Sequence, residues 1–130
     1  MIHTFIIDVD DTILTTPLNE DGQYEYDKST LILASVERIR SLKEEGHTII
    51  LFTARGMRTF NGDVKKIKKE HQERLITWLG DNKVPYDSLV FGKPWGDNPI
   101  YVDNRNLSLH SFVTSNPEFF ENIIKAENNI

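Results

Sequence analysis

Asp8-Val9-Asp10-Asp11-Thr12 follows directly on the apolar run Phe5-Ile6-Ile7. A buried strand ending in carboxylates one residue apart, then a hydroxyl, makes a poor core, because carboxylates enter interiors only when paired or metal-bound. At the carboxyl end of a strand, however, they stand where open α/β sheets place their ligands. Three more polar residues follow short apolar runs in the same way: Thr53, Lys93 and Asp103. If the strands are parallel, these ends share one edge, and Asp8, Asp10, Thr53, Lys93 and Asp103 converge. Three carboxylates about 4 Å apart would repel by about 1–4 kcal/mol per pair, which a cation relieves. Oxygen-only ligands, few enough to leave room for water and a phosphate, suit Mg²⁺. Thr53 adds a hydroxyl donor and Lys93 a point positive charge. Together these make a phosphate site with an oxygen nucleophile inside it.

The elements that must position these groups are legible in the periodicity. Thr4 to Val9 reads as a first strand, hydrophobic on both faces as in a helix-covered parallel sheet. Pro17 to Asp27 is polar, with the turn signal Asn19-Glu20-Asp21-Gly22 and alternating Tyr24 and Tyr26, which suits a small flap. Lys28 to Glu45 is a helix, with Ile32, Val36, Ile39 and Leu42 at helical spacing, Asp27 or Ser29 as cap, and Gly46 as stop. Thr48 to Thr53 is a second strand, and Val64 to Leu79 a second helix ended by Gly80. Leu89 to Phe91 and Ile100 to Val102 are short third and fourth strands, and Ser111 to Val113 is a candidate fifth. A last helix starts at Ser115-Asn116-Pro117-Glu118 and docks through Phe119, Phe120, Ile123 and Ile124. The expected architecture is α/β: a three-layer, Rossmann-like, mostly parallel sheet flanked by helices, with a small flap after the first strand. The gaps between Asp10 and Thr53 and between Thr53 and Lys93 are too short for an inserted cap domain.

Composition narrows the setting. The 130 residues make one domain of ordinary size. No apolar run approaches the roughly 18 residues of a membrane span, and no signal peptide stands at Met1. The absence of cysteine excludes disulfides and thiolate zinc sites, and a reducing cytoplasm is the simplest location. A formal charge of −5 disfavours nucleic acid as partner but not a small phosphorylated metabolite.

In order and spacing, Asp8-Val9-Asp10-Asp11-Thr12, Leu51-Phe52-Thr53, Lys93 and Tyr101-Val102-Asp103 resemble the four motifs of the haloacid dehalogenase-like superfamily of phosphotransferases. Phe52-Thr53-Ala54-Arg55-Gly56-Met57-Arg58-Thr59 and Phe91-Gly92-Lys93-Pro94-Trp95 look like a narrower branch, small proteins found with capsule and surface-polysaccharide biosynthesis. The resemblance implies that Asp8 attacks phosphorus and that Asp10 protonates the leaving oxygen, then activates water. It also implies that Asp8, the Asp10 carbonyl and Asp103 hold Mg²⁺, while Thr53 and Lys93 bind the transferring phosphoryl group. One departure stands out: where the family often has a second acid after its last motif, this chain has Asn104, which could still orient a metal-bound water. The expected activity is a Mg²⁺-dependent phosphomonoesterase acting on a sugar phosphate or other small metabolite. A capless site would take a bulky substrate or be covered by a neighbouring subunit in a homo-oligomer.

Rival readings fare less well. An EF-hand needs Gly and Glu where Ile13 and Asn19 stand. A response-regulator receiver carries its phosphorylated aspartate after the third strand, where this chain has Gly92-Lys93. A polynucleotide 3′-phosphatase runs against the acidic balance, and Asn104 keeps a phosphate-binding module without turnover in view. Lys65, Lys66, Lys68 and Lys69 form a solvated helix face. Arg55 and Arg58 follow Thr53 directly and are candidate substrate contacts, as is Trp95 beside Lys93. Asp11 is a bystander, His47 reads as a surface residue, His71 as a helix-face residue and Trp78 as core.

Overall fold

The computed structural model describes residues 1–129, which form two compact units, Met1–Gly96 and a second beginning at Asp97. The first is a Rossmann-like α/β unit. Its parallel sheet runs β1 (Thr4–Asp8), β4 (Thr48–Thr53), β5 (Ser88–Phe91), in that spatial order. Between β1 and β4 lie the short antiparallel pair β2 (Leu14–Thr15) and β3 (Thr30–Leu31) and the helix α1 (Leu33–Glu44); between β4 and β5 lies α2 (Val64–Asp81). Val36, Ile39 and Leu42 of α1 and Ile67, Leu75 and Leu79 of α2 are buried with Ile49 and Leu51 of the sheet. Asp63 caps α2, its carboxylate accepting the Lys66 N–H, and so satisfies one of the donors a helix start leaves open.

Register explains why chemistry collects at one edge. Asp8 pairs with Phe52, and Thr53 with Phe91, so the ends of β4 and β5 lie level and that of β1 one residue short of them. The Lys93 N–H then donates to the Thr53 carbonyl at 3.1 Å, carrying the pairing two residues past β5.

Several expectations need correcting. Burial alternates along β1 and β5: Ile7 and Phe91 are buried, but Ile6 is 65% and Val90 41% exposed. The sheet is thus not covered evenly on both faces. Helix α1 begins at Leu33, not Lys28, with neither Asp27 nor Ser29 as cap, because Tyr26–Lys28 forms a 3-10 turn and Thr30–Leu31 pairs with β2. Gly80 lies inside α2, which ends at Asp81 with Asn82 as its C-cap.

The second unit contains α3 (Leu109–Thr114), a 3-10 turn at Pro117–Phe119 and α4 (Phe120–Glu127). The Phe112 and Phe120 rings stack at 6.1 Å, and Arg105 grips Glu121 with two bonds of 2.9 and 2.6 Å. Neither strand expected here forms. Ser111 to Val113 is helical, because Ser108 accepts the Ser111 N–H and starts a helix. Ile100 to Val102 does not take strand structure, and Ile100 and Val102 are 87% and 91% exposed. Among the described residues, no helix is long and apolar enough to cross a membrane.

Candidate active site

The turn after β1 sets the first two carboxylates. The N–H groups of Thr12 and Ile13 both donate to the Val9 carbonyl, at 3.2 and 2.9 Å, folding the chain back on itself. Asp11 takes the sharp corner at φ +61°, a conformation that aspartate tolerates better than most residues. Its side chain accepts the Thr15 hydroxyl, at 3.4 Å.

Asp8 and Asp10 then meet different cations. The Lys93 ammonium donates to Asp8 Oδ1 at 3.0 Å, and the Thr12 hydroxyl to Oδ2 at 3.1 Å. Arg55 reaches Asp10 through two bonds, Nη2 to Oδ1 at 2.7 Å and Nε to Oδ2 at 3.3 Å. Charge-assisted forks of this kind fix direction as well as distance. The Asp8 and Asp10 side chains stay 32% and 36% exposed, so both can meet a ligand.

Thr53 and Arg55 are both buried. Thr53 is fully buried; its hydroxyl accepts the Arg55 N–H at 3.0 Å and donates to Asp10 Oδ2 at 3.4 Å. It thereby holds both Asp10 and the Arg55 backbone. The Arg55 side chain is only 3% exposed. Its guanidinium lies 4.2 Å from the centre of the Tyr26 ring, an attractive placement over the π face. Arg58 is exposed and sits 5.8 Å over the Trp95 ring, so these two candidates lie together. Sequence reasoning missed Thr12 and Tyr26. The hydroxyl four residues after Asp8 was a usable signal; nothing local links Tyr26 to Arg55.

Asp103 and Asn104 belong to the second unit, where Asp103 Oδ1 accepts the Arg105 N–H at 2.9 Å. The strand that would have carried Asp103 to a sheet edge does not form. Among the described residues, no group of three or more His, Asp or Glu side chains is gathered as it would be around a metal. Asp8 and the Asp10 carbonyl still fit a hard cation by donor chemistry. Both offer oxygen alone, and each carboxylate oxygen has a second lone pair beyond the one its partner uses.

Behind Arg55, His71 packs edge-on to Tyr26 at 5.4 Å, and its buried Nδ1 has no hydrogen-bond partner among the described residues. Burial, and then the Arg55 charge, hold the imidazole below its ordinary value. An unfolded His71 takes a proton near pH 6.5, while the folded one resists to lower pH. In that window the unfolded chain binds more protons, so the contribution is full above it and is lost as pH falls through it. Urea midpoints at about pH 7.5 and 5.5 should therefore drop more for the wild type than for His71→Phe. Equal drops would show that another group governs the loss.

A Vibrio cholerae protein solved as a structural genomics target shares this architecture, with a TM-score of 0.84 and 31% sequence identity over 97% of this chain and 99% of that one. Neither a protein-family model nor a curated relative matches the chain.

Proposed function

The chain belongs to one family with that Vibrio cholerae protein, and from this fold and its own strand-end chemistry we propose a Mg²⁺-dependent phosphomonoesterase of the haloacid dehalogenase-like superfamily. One observation carries the reading: Asp8 and Asp10, two residues apart, are each partly exposed and each held by its own cation. Here each carboxylate keeps an open side.

Asp8 attacks phosphorus through an oxygen, forming an aspartyl-phosphate as the bond to the leaving alkoxide breaks. Asp10 gives that alkoxide its proton, then takes one from the water that attacks the phosphoenzyme. The products are an alcohol and inorganic phosphate, and both aspartates return to their starting forms. Lys93, held 3.0 Å from Asp8, supplies positive charge where the phosphoryl oxygens arrive. Asp8 and the Asp10 carbonyl would hold Mg²⁺, which when bound neutralises phosphoryl charge; Asp103 is the further ligand implied by the family resemblance. Between β1 and β4 lie β2, β3 and α1, and between β4 and β5 lies α2, an element order that supports a site without an inserted cap domain. A sugar phosphate of surface-polysaccharide synthesis is the proposed substrate, on the resemblance of the Phe52–Thr59 and Phe91–Trp95 segments.

The test is phosphate release from p-nitrophenyl phosphate. Release with Mg²⁺ that falls to the buffer rate in EDTA is expected. Release at the buffer rate in both would remove the proposal.

A further inference from the structure

Arg55 is a cation in an unusual place for a protein that handles an anionic substrate. Its side chain is 3% exposed, its backbone N–H is fixed by Thr53, and both oxygens of Asp10 are taken by its fork. Tyr26 covers the guanidinium at 4.2 Å, and Arg74 approaches the same ring at 5.7 Å. A guanidinium has donors and no acceptor. A proton on Asp10 therefore finds nothing to bond to on the Arg55 side, and the Thr53 hydroxyl already occupies Oδ2 as a donor. The remaining direction is the exposed edge of the carboxyl group.

We infer that Arg55 is a positioning residue that aims the proton of Asp10 away from the interior and toward the leaving oxygen, with Tyr26 holding the guanidinium in place. The inference rests on the phosphomonoesterase reading, because it assigns Asp10 a proton to deliver. Lysine at this position would keep the charge but lose the fork that sets the angle. The cost falls on the step that needs an acid. Esters whose leaving group departs unaided are spared.

The experiment compares kcat/KM for two esters, p-nitrophenyl phosphate, whose phenolate leaves readily, and benzyl phosphate, whose alkoxide must be protonated. Arg55→Lys should lose about 10²-fold on benzyl phosphate and less than about 5-fold on p-nitrophenyl phosphate, the scale of a general acid's contribution. Tyr26→Leu keeps both partners of the Arg55–Asp10 fork but removes the ring that holds the guanidinium in place, and should show the same selectivity at about 10-fold. This second variant keeps the test decisive if Arg55→Lys does not fold, as judged by thermal melting. Equal losses on both esters, or wild-type rates in Arg55→Lys, would overturn the inference while leaving the phosphatase intact. A wild-type protein that hydrolyses neither ester would overturn both.

Discussion

Asp8→Asn should reduce phosphate release by about 10⁴-fold or more, since removing a nucleophile removes the covalent route itself. The substitution is nearly isosteric, so the loss would not come from packing. The Asn carbonyl can still accept from Lys93, and its amide can donate to the Thr12 hydroxyl, which reverses its role from donor to acceptor. Both contacts at 3.0 and 3.1 Å thus have replacements. What disappears is the negative charge beside a Lys93 side chain that is 17% exposed. The stability cost of weakening such a part-exposed pair should stay near about 1 kcal/mol. The prediction is therefore a dissociation of two readouts, activity lost and the urea midpoint nearly kept. Acid-quenched wild type incubated with ³²P-labelled substrate should carry label on the protein, and Asp8→Asn should carry none. A variant with more than about one hundredth of wild-type turnover would refute the assignment of Asp8.

The strand-end groups were legible because each signal was local. An apolar run followed by a polar residue marks Asp8, Thr53 and Lys93 one at a time, and parallel pairing brings their ends to one edge without further information. Helix α2 was legible for the same reason, since Ile67, His71, Leu75 and Leu79 repeat at helical spacing and all are buried. The failures share a different cause. Ile100 to Val102 is apolar enough for a strand, but a strand is stable only when another chain segment pairs with it, and three residues cannot specify that partner. Ser111-Phe112-Val113 has the composition of a strand, yet one Ser108 hydroxyl bonded to a backbone N–H decides for helix. The direction of Arg55 was out of reach in principle. Its position after Thr53 suggested the crevice, whereas its partners are a carboxylate 45 residues earlier and a tyrosine in the segment between.

Gly56→Ala should destabilise the first unit by about 2–5 kcal/mol, and the size follows from two separate penalties. Gly56 sits at φ +80°, where an L-side chain costs about 1–2 kcal/mol. A Cβ there would also stand 3.0 Å from His71 Cδ2 and 3.1 and 3.2 Å from the Ile67 side chain. These neighbours cannot easily give way: Ile67 and His71 are buried on α2, and relieving such overpacking costs a further 1–3 kcal/mol or so. A thermal midpoint lower by roughly 10 °C or more is the expected reading for a chain of this size. Gly80 provides the contrast of sign. It lies inside α2 at an ordinary helical φ, and an added Cβ would meet nothing within 4 Å. Gly80→Ala should therefore stabilise by about 0.5–1 kcal/mol, through helix propensity and a less flexible unfolded chain. Equal effects at the two glycines would mean that neither the close approach at Gly56 nor its positive φ exists in solution. Because Gly56 follows Arg55 directly, the same substitution should also disturb the Arg55–Asp10 fork. The residual folded fraction of Gly56→Ala should then show the ester selectivity of Arg55→Lys, which Gly80→Ala should lack.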